Sequence, residues 1–220
     1  YKNHPAILMW EFGNEYNYHP DYFDGNLANW YTNLNAAAQY AATDINHPVS
    51  STWGYDAGDP SASQELNAAM ETAPDVKIWG LNIYDGDNLS RVNAIRASSI
   101  KPIYISETGS DSFNQSARTA DEQIQSDAME KLYNSVKDTD TAGVTFMTWR
   151  DEWWKMGEPA NHNSSGNGFG VPYDSFGNEE YFGWVNIDGT PKAVIKTAKG
   201  IWGDQKNIPV SKIDTTSLPI

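Results

Sequence analysis

The chain alternates short apolar runs with longer stretches of helical period, and that alternation restricts its fold more than any other feature. The apolar runs are Ala6–Gly13, Val49–Gly54, Val76–Tyr84, Pro102–Glu107 and Gly143–Trp149. Each is too short for a helix and too continuous for a half-exposed strand, which is the pattern of strands buried in a parallel sheet. Proline stands at or just before four of the five, as Pro5, Pro48, Pro74 and Pro102. Because proline favours extended backbone before it and cannot continue a helix, it marks the turn into a strand. Three helices are legible between and after the runs. One carries Leu27, Trp30, Tyr31, Leu34, Ala38, Ala41 and Ile45 at steps of three and four. A second carries Ile124, Ala128, Leu132 and Val136, with Thr119 and Glu122 spaced as a capping box. A third opens at Thr190-Pro191 and would bury Val194, Ile195, Ala198, Ile201 and Trp202. Strands alternating with helices predict βα units of the α/β class.

Composition removes several functional classes. A formal net charge of -14 argues against nucleic acid and anionic membrane, both of which demand clustered Lys and Arg. With no cysteine, disulfides, thiolate metal sites and cysteine nucleophiles are excluded. No apolar stretch approaches the roughly 20 residues of a membrane-spanning helix. His4, His19 and His47 each precede or adjoin a proline turn and are read as turn residues, so no metal site and no cofactor is expected. The 9 Trp and 12 Tyr, set among many Asn and Asp, suit sugars, whose C–H faces pack on rings while their hydroxyls need amides and carboxylates.

Two glutamate motifs carry the chemistry. Trp10-Glu11-Phe12-Gly13-Asn14-Glu15 ends the first run and Ile105-Ser106-Glu107-Thr108-Gly109 ends the fourth. Carboxylates at the C-terminal ends of two strands share one face of a parallel barrel. Such a pair is what hydrolysis of a glycosidic bond with retention requires, one to protonate the leaving oxygen and one to attack the anomeric carbon. Glu11 shares strand parity with Glu15 but lies deeper, and is read as part of an interior network. Asp85-Gly86-Asp87-Asn88 contains a fragment of calcium-loop chemistry without the rest of the loop, so helix capping by Asp87 or Asn88 is the preferred reading. Asp151 and Glu152 fall at the mouth and are read as contacts for substrate hydroxyls. The Gly-, Asn- and aromatic-rich segment Asp151–Asp188 is long for a loop and is expected to fold over the active-site face. Its aromatic residues include Trp153, Trp154, Phe169, Tyr173, Phe176, Tyr181, Phe182 and Trp184.

These motifs resemble clan A glycoside hydrolases. Lys2 to Trp10, followed by Gly13-Asn14-Glu15, is similar to the fourth barrel strand of that clan, closest to the family 2 style. Trp79-Gly80-Leu81-Asn82-Ile83-Tyr84 is similar to the sixth strand. Ile105 to Gly109 resembles the seventh, where β-1,3-glucanases of the family 17 type carry the nucleophile, and Val144 to Trp149 resembles the eighth. The resemblance implies a TIM (β/α)8 barrel of which this chain supplies approximately strands four to eight. It implies Glu15 as acid/base, Glu107 as nucleophile and Asn14 as the partner of the sugar 2-hydroxyl. Tyr84 would contact the nucleophile, Trp149 would lie under the sugar, and Trp153 and Trp154 would shape the cleft. The expected activity is that of a retaining β-glycoside hydrolase on a β-linked glucan or related oligosaccharide. A transglycosylase with the same first step and a non-catalytic carbohydrate-binding barrel are the alternatives.

Residues 1–203 are thus expected to form the C-terminal portion of a barrel and 204–220 a tail or linker. The first three strands, which in the clan contribute an arginine and other sugar contacts, are not in this sequence. The expected partners are therefore a carbohydrate substrate and a missing N-terminal barrel segment. Without that segment, exposed edges near Ile7 and Phe146 predict aggregation and little activity.

Overall fold

A computed structural model describes residues 4–56, 59–84, 88–97, 99, 101–164, 166 and 176–203. In chain order the elements begin β1 (Trp10–Asn14), α1 (Leu27–Ala41), β2 (Val49–Gly54), α2 (Ala62–Thr72), β3 (Ile78–Asn82), α3 (Asn88–Arg96) and β4 (Ile103–Thr108). A small antiparallel hairpin, β5 (Phe113–Asn114) and β6 (Thr119–Ala120), precedes α4 (Glu122–Val136), β7 (Val144–Phe146) and α5 (Ala193–Gly203). The main sheet has the order β1-β2-β3-β4-β7, parallel at every pairing. Among the described residues β1 and β7 are its edges. No helix of the described residues is long and apolar enough to cross a membrane.

The two faces of this sheet differ in chemistry. Val49, Trp53, Trp79, Leu81, Ile103 and Ile105 point outward and pack with Leu34 and Ala38 of α1, Leu66 and Met70 of α2, and Val92 and Ile95 of α3. Each fully buried Leu or Ile here contributes about 1.5–3 kcal/mol. The inner face carries hydroxyls and carboxylates. Thr52 Oγ1 donates to Glu11 Oε1 at 2.9 Å, and Tyr104 donates to Glu11 Oε2. A Cβ built on Gly80 would meet Ser106 Oγ, Thr52 Oγ1 and the Tyr104 hydroxyl at 2.7–2.8 Å, so these groups converge where Gly80 leaves room. Glu11 thus belongs to the interior network expected of it.

Several boundaries differ from the sequence reading. The first run yields a strand only from Trp10, because β2 begins at Val49 and offers no ladder partner before the Trp10–Val49 pair. Ile7 instead donates to the His4 carbonyl in a turn. Helix α1 stops at Ala41, leaving Ile45 93% exposed in the following turn. There Asp44 accepts from Trp10 Nε1 at 2.9 Å and bonds His47 Nδ1 at 2.8 Å. The N-cap of α4 is Asp121, whose carboxylate accepts from the Gln123 and Ile124 N–H groups. Thr119 lies in β6, and Glu122 reaches the Ala193 N–H instead of closing a capping box. Pro191 pairs with Val185, so α5 starts two residues later, at Ala193. Its Trp202 is 39% exposed. The eighth-strand candidate is cut short at Phe146 because Thr148 pairs with Phe182 and Trp184 instead. Helices α2 and α3 are additions to the sequence reading, α3 opening at Asn88. Asp85, Gly86, Asp87, Phe169, Tyr173 and the proposed tail from Asp204 lie outside the described residues.

Candidate active site

Both glutamates are delivered by irregularities in the ladder. Along β1 the pairing moves from Glu11↔Ser50 to Asn14↔Thr52, so three steps on β1 match two on β2. Gly13 absorbs this bulge with φ +82°, and a Cβ there would come within 2.7 Å of the Trp30 and Tyr16 rings. A bulge re-aims the side chains that follow it. Glu15 then turns into the left-handed region at φ 54° and opens a 3₁₀ turn over Tyr16–Tyr18. On the other side, β3 and β4 shift register between Leu81↔Ile105 and Asn82↔Glu107.

Asn82 joins the two. It is 3% exposed at the end of β3. Its Nδ2 donates to Glu15 Oε1 at 2.9 Å and to Asn14 Oδ1 at 3.2 Å, while its Oδ1 accepts from Ser106 Oγ at 2.7 Å. Tyr84 places its hydroxyl 2.9 Å from Glu107 Oε2 and 3.1 Å from Met147 Sδ. The single phenolic proton is best spent on the carboxylate, the charged acceptor. Burial, then the Glu107 charge, push the Tyr84 phenol far above its ordinary value, so it remains a donor. Asn82 also hydrogen-bonds Glu107, so Glu15, Asn14, Asn82, Tyr84 and Glu107 form one connected cluster at the C-terminal ends of β1, β3 and β4.

Burial raises the Glu107 carboxyl above its ordinary value of 4.5, and the nearby Glu15 charge adds to that. Hydrogen bonds from Tyr84 and Asn82 and the positive charge of Lys155 oppose it. Taken alone, the net direction favours the protonated form of Glu107. The three opposing groups are those that would be called on to keep it charged. Lys155 sits on the 3₁₀ turn Trp153–Lys155, with Glu152 at 3.7 Å, Glu179 at 3.9 Å and the Trp154 ring 5.1 Å from its ammonium.

The aromatic segment divides between roles. Trp149 and Trp154 are 66% and 64% exposed. Trp153 is half-buried, with one face stacked on His162, which in turn stacks on Tyr181 at 3.6 Å between ring centroids. Phe182 is buried edge-on to Tyr84 at 6.1 Å. Trp184 turns away from the cluster and packs with Phe146, Val194 and Ala198 in the layer under α5.

Asp151 is not free to meet a substrate. It is 2% exposed, and its Oδ1 accepts from Lys192 Nζ at 2.6 Å and from the Gly183 N–H at 2.9 Å. Lys192, 3% exposed, also donates to Ser112 Oγ at 3.0 Å and the Tyr181 carbonyl at 3.1 Å. Burial pushes the Asp151 carboxyl up and the Lys192 ammonium down, each opposed by the other's charge. The sequence reading missed this pair, Asn82 and Lys155. Asn82 had a visible signal: a polar residue closing an apolar strand, with the parity of Tyr84.

No protein-family model and no curated protein sequence matches this chain. Solved structures do. A β-1,3-glucanosyltransferase from Rhizomucor miehei, an active-site mutant in complex with laminaritriose, superposes with a TM-score of 0.57 at 16% identity. The match covers 86% of this chain and 64% of that one. A GH39 β-xylosidase from Caulobacter crescentus gives 0.58 at 16%, covering 89% and 41%, and the GH53 catalytic domain of Ignisphaera aggregans gives 0.57 at 18%, covering 86% and 57%. The chain thus spans from 41% to 64% of the length of these proteins. All three are TIM-barrel proteins. At such identities the likeness establishes architecture alone: five parallel strands, helices on the outer face and polar groups within form part of a TIM (β/α)8-type barrel.

Proposed function

We propose that this chain carries the catalytic side of a retaining β-glycoside hydrolase, completed by a segment supplying the remaining strands. The observation that supports it best is Asn82, which hydrogen-bonds both Glu15 and Glu107, with Tyr84 holding Glu107 at Oε2. In the first step the Glu107 carboxylate attacks the anomeric carbon while the bond to the leaving oxygen breaks and Glu15 gives that oxygen its proton. In the second, Glu15 takes a proton from water, the hydroxide carbon–oxygen bond forms, and Glu107 leaves as carboxylate. Asn14 meets the 2-hydroxyl, and Trp149 and Trp154 offer exposed ring faces to the sugar. A β-linked glucan is the proposed substrate, in the style of families 2 and 17. Transfer to a second sugar in place of water is the other outcome of the same intermediate, and a glucanosyltransferase is among the structures with this fold.

The test is covalent capture. A 2-deoxy-2-fluoro β-glycoside incubated with the completed barrel should esterify Glu107, located by mass spectrometry of the digest. A label on Glu15 would exchange the two roles, and no label with any of the gluco, manno and galacto reagents would refute the reading. In a structure of the completed barrel, the two carboxyl groups are expected about 5–5.5 Å apart, whereas about 6.5–9.5 Å would indicate inversion.

The pH profile carries its own sign. The nucleophile works ionised, and burial raises Glu107, so kcat/KM should fall with decreasing pH through a midpoint above 4.5. Lys155→Met removes a charge that opposes this rise and should move the midpoint further up. A midpoint that stays put in Lys155→Met would show that the ammonium does not act on Glu107.

A further inference from the structure

Tyr18 stands one 3₁₀ turn beyond Glu15, its N–H donating to the Glu15 carbonyl at 3.0 Å. Asn17 fastens that turn to the end of β2 twice over. Its Nδ2 donates to the Gly54 carbonyl at 2.8 Å, and its Oδ1 accepts from the Gly54 N–H at 2.9 Å. The Tyr18 ring then lies flush on Gly54, where an added Cβ would fall 2.1 Å from Tyr18 Cε2. Glycine at this position is a packing requirement, since any side chain would displace the ring. Even so, the residue keeps 48% of its surface exposed. Two hydrogen bonds from Asn17 anchor the turn, and Gly54 seats the aromatic ring, much of which is open to solvent.

The surroundings suit one kind of ligand. Partial burial, then the charges of Glu15, Asp56 and Asp59, push the Tyr18 phenol up to about 12, so it is a hydroxyl donor under all ordinary conditions. An aromatic face for C–H groups beside carboxylates for hydroxyls is the chemistry that recognises a sugar ring. Its place gives the direction. Along the mouth, Glu15 and the Tyr18 ring belong to the ends of β1 and β2, whereas Glu107 belongs to the end of β4. The group that protonates the leaving oxygen faces the leaving sugar.

We propose that Tyr18, seated on Gly54, is the stacking platform for the leaving-group sugar and, by microscopic reversibility, for an acceptor sugar. This rests on the assignment of Glu15 and Glu107 above.

Partitioning of the glycosyl-enzyme tests it. The completed barrel is charged with whichever of the 2,4-dinitrophenyl β-glucoside, mannoside or galactoside it turns over, releasing dinitrophenolate as the ester to Glu107 forms. Water or a hydroxyl of the corresponding β-linked trisaccharide then attacks the anomeric carbon, Glu15 accepts the attacking proton, and Glu107 departs. The ratio of transfer to hydrolysis reports the acceptor side alone, independent of the folded fraction and of the rate of ester formation. Tyr18→Ala should lower that ratio about tenfold, equivalent to about 1.4 kcal/mol of lost ring contact. Tyr18→Phe, which keeps the ring, should retain most of it. An unchanged ratio in Tyr18→Ala, an equal loss in Tyr18→Phe, or an ester that never transfers to the trisaccharide would overturn the proposal while leaving the glycosidase reading intact. Failure of the unsubstituted protein to form any ester would overturn both.

Discussion

Glu107→Gln is expected to abolish the covalent intermediate and reduce turnover more than any other single change. Glu15→Gln should be selective. It should cost on the order of 10²–10⁴-fold in kcat on substrates with poor leaving groups and far less on activated aryl glycosides, whose leaving oxygen needs no proton. Azide should rescue Glu15→Ala on an activated donor, giving a β-glycosyl azide of retained configuration, because a small anion can occupy the vacated carboxylate site without needing a general base. Near-normal turnover by Glu107→Gln would remove it from the nucleophile role. The geometry behind these expectations is the double attachment of the pair, Glu15 through Asn82 and Glu107 through Tyr84.

The largest loss of stability should come from Lys192→Ala. The Lys192 ammonium is the close partner of a carboxylate that is itself 2% exposed. Removing it strands the Asp151 charge in the interior, a cost of about 3–5 kcal/mol. Burial already raises the Asp151 carboxyl, and loss of the ammonium raises it further. A carboxyl whose folded pKa lies above its unfolded value stabilises the fold in its protonated form. The penalty should therefore shrink as pH falls and grow as pH rises through the folded pKa. Denaturant midpoints of the completed barrel across pH measure this directly. The double change Lys192→Met with Asp151→Leu should recover much of the loss, since no charge is left without a partner. If Lys192→Ala alone unfolds at the unsubstituted midpoint, the pair does not contribute as its geometry implies.

The architecture was readable where the sequence states its periods plainly. Val49–Gly54 coincides with β2, and the runs ending at Glu107 and Tyr84 match β4 and β3 to within two residues at either end. Helix α2 has only a faint sequence signature because three of its four buried positions are alanine or methionine. The hairpin β5–β6 was invisible because two-residue strands have no period. Within the site, strand order alone groups Glu15, Tyr84 and Glu107, while their roles rest on resemblance. Asn82 stands out locally as a polar residue closing an apolar strand, but its bond to Glu15 spans 67 residues and has no local signature. Lys192 has no such cue, because its partner Asp151 is 41 residues distant. Asp151 was misjudged for the same reason: its place at the mouth is legible, but its ammonium partner is not.

The contrast between the two faces of the sheet bears on how such a chain can vary. The outer face is held by volume, so Ile, Val and Leu can trade places there at modest cost provided the space stays filled. The inner face is held by direction: Thr52, Ser106 and Tyr104 each aim a hydroxyl, and Thr52→Val keeps the shape while deleting the bond to Glu11. Drift should therefore accumulate on the helix-facing side and stall on the lumen side, even at positions far below the glutamates. A descendant with new specificity would most readily arise by altering the loops at the mouth while inheriting this polar keel unchanged.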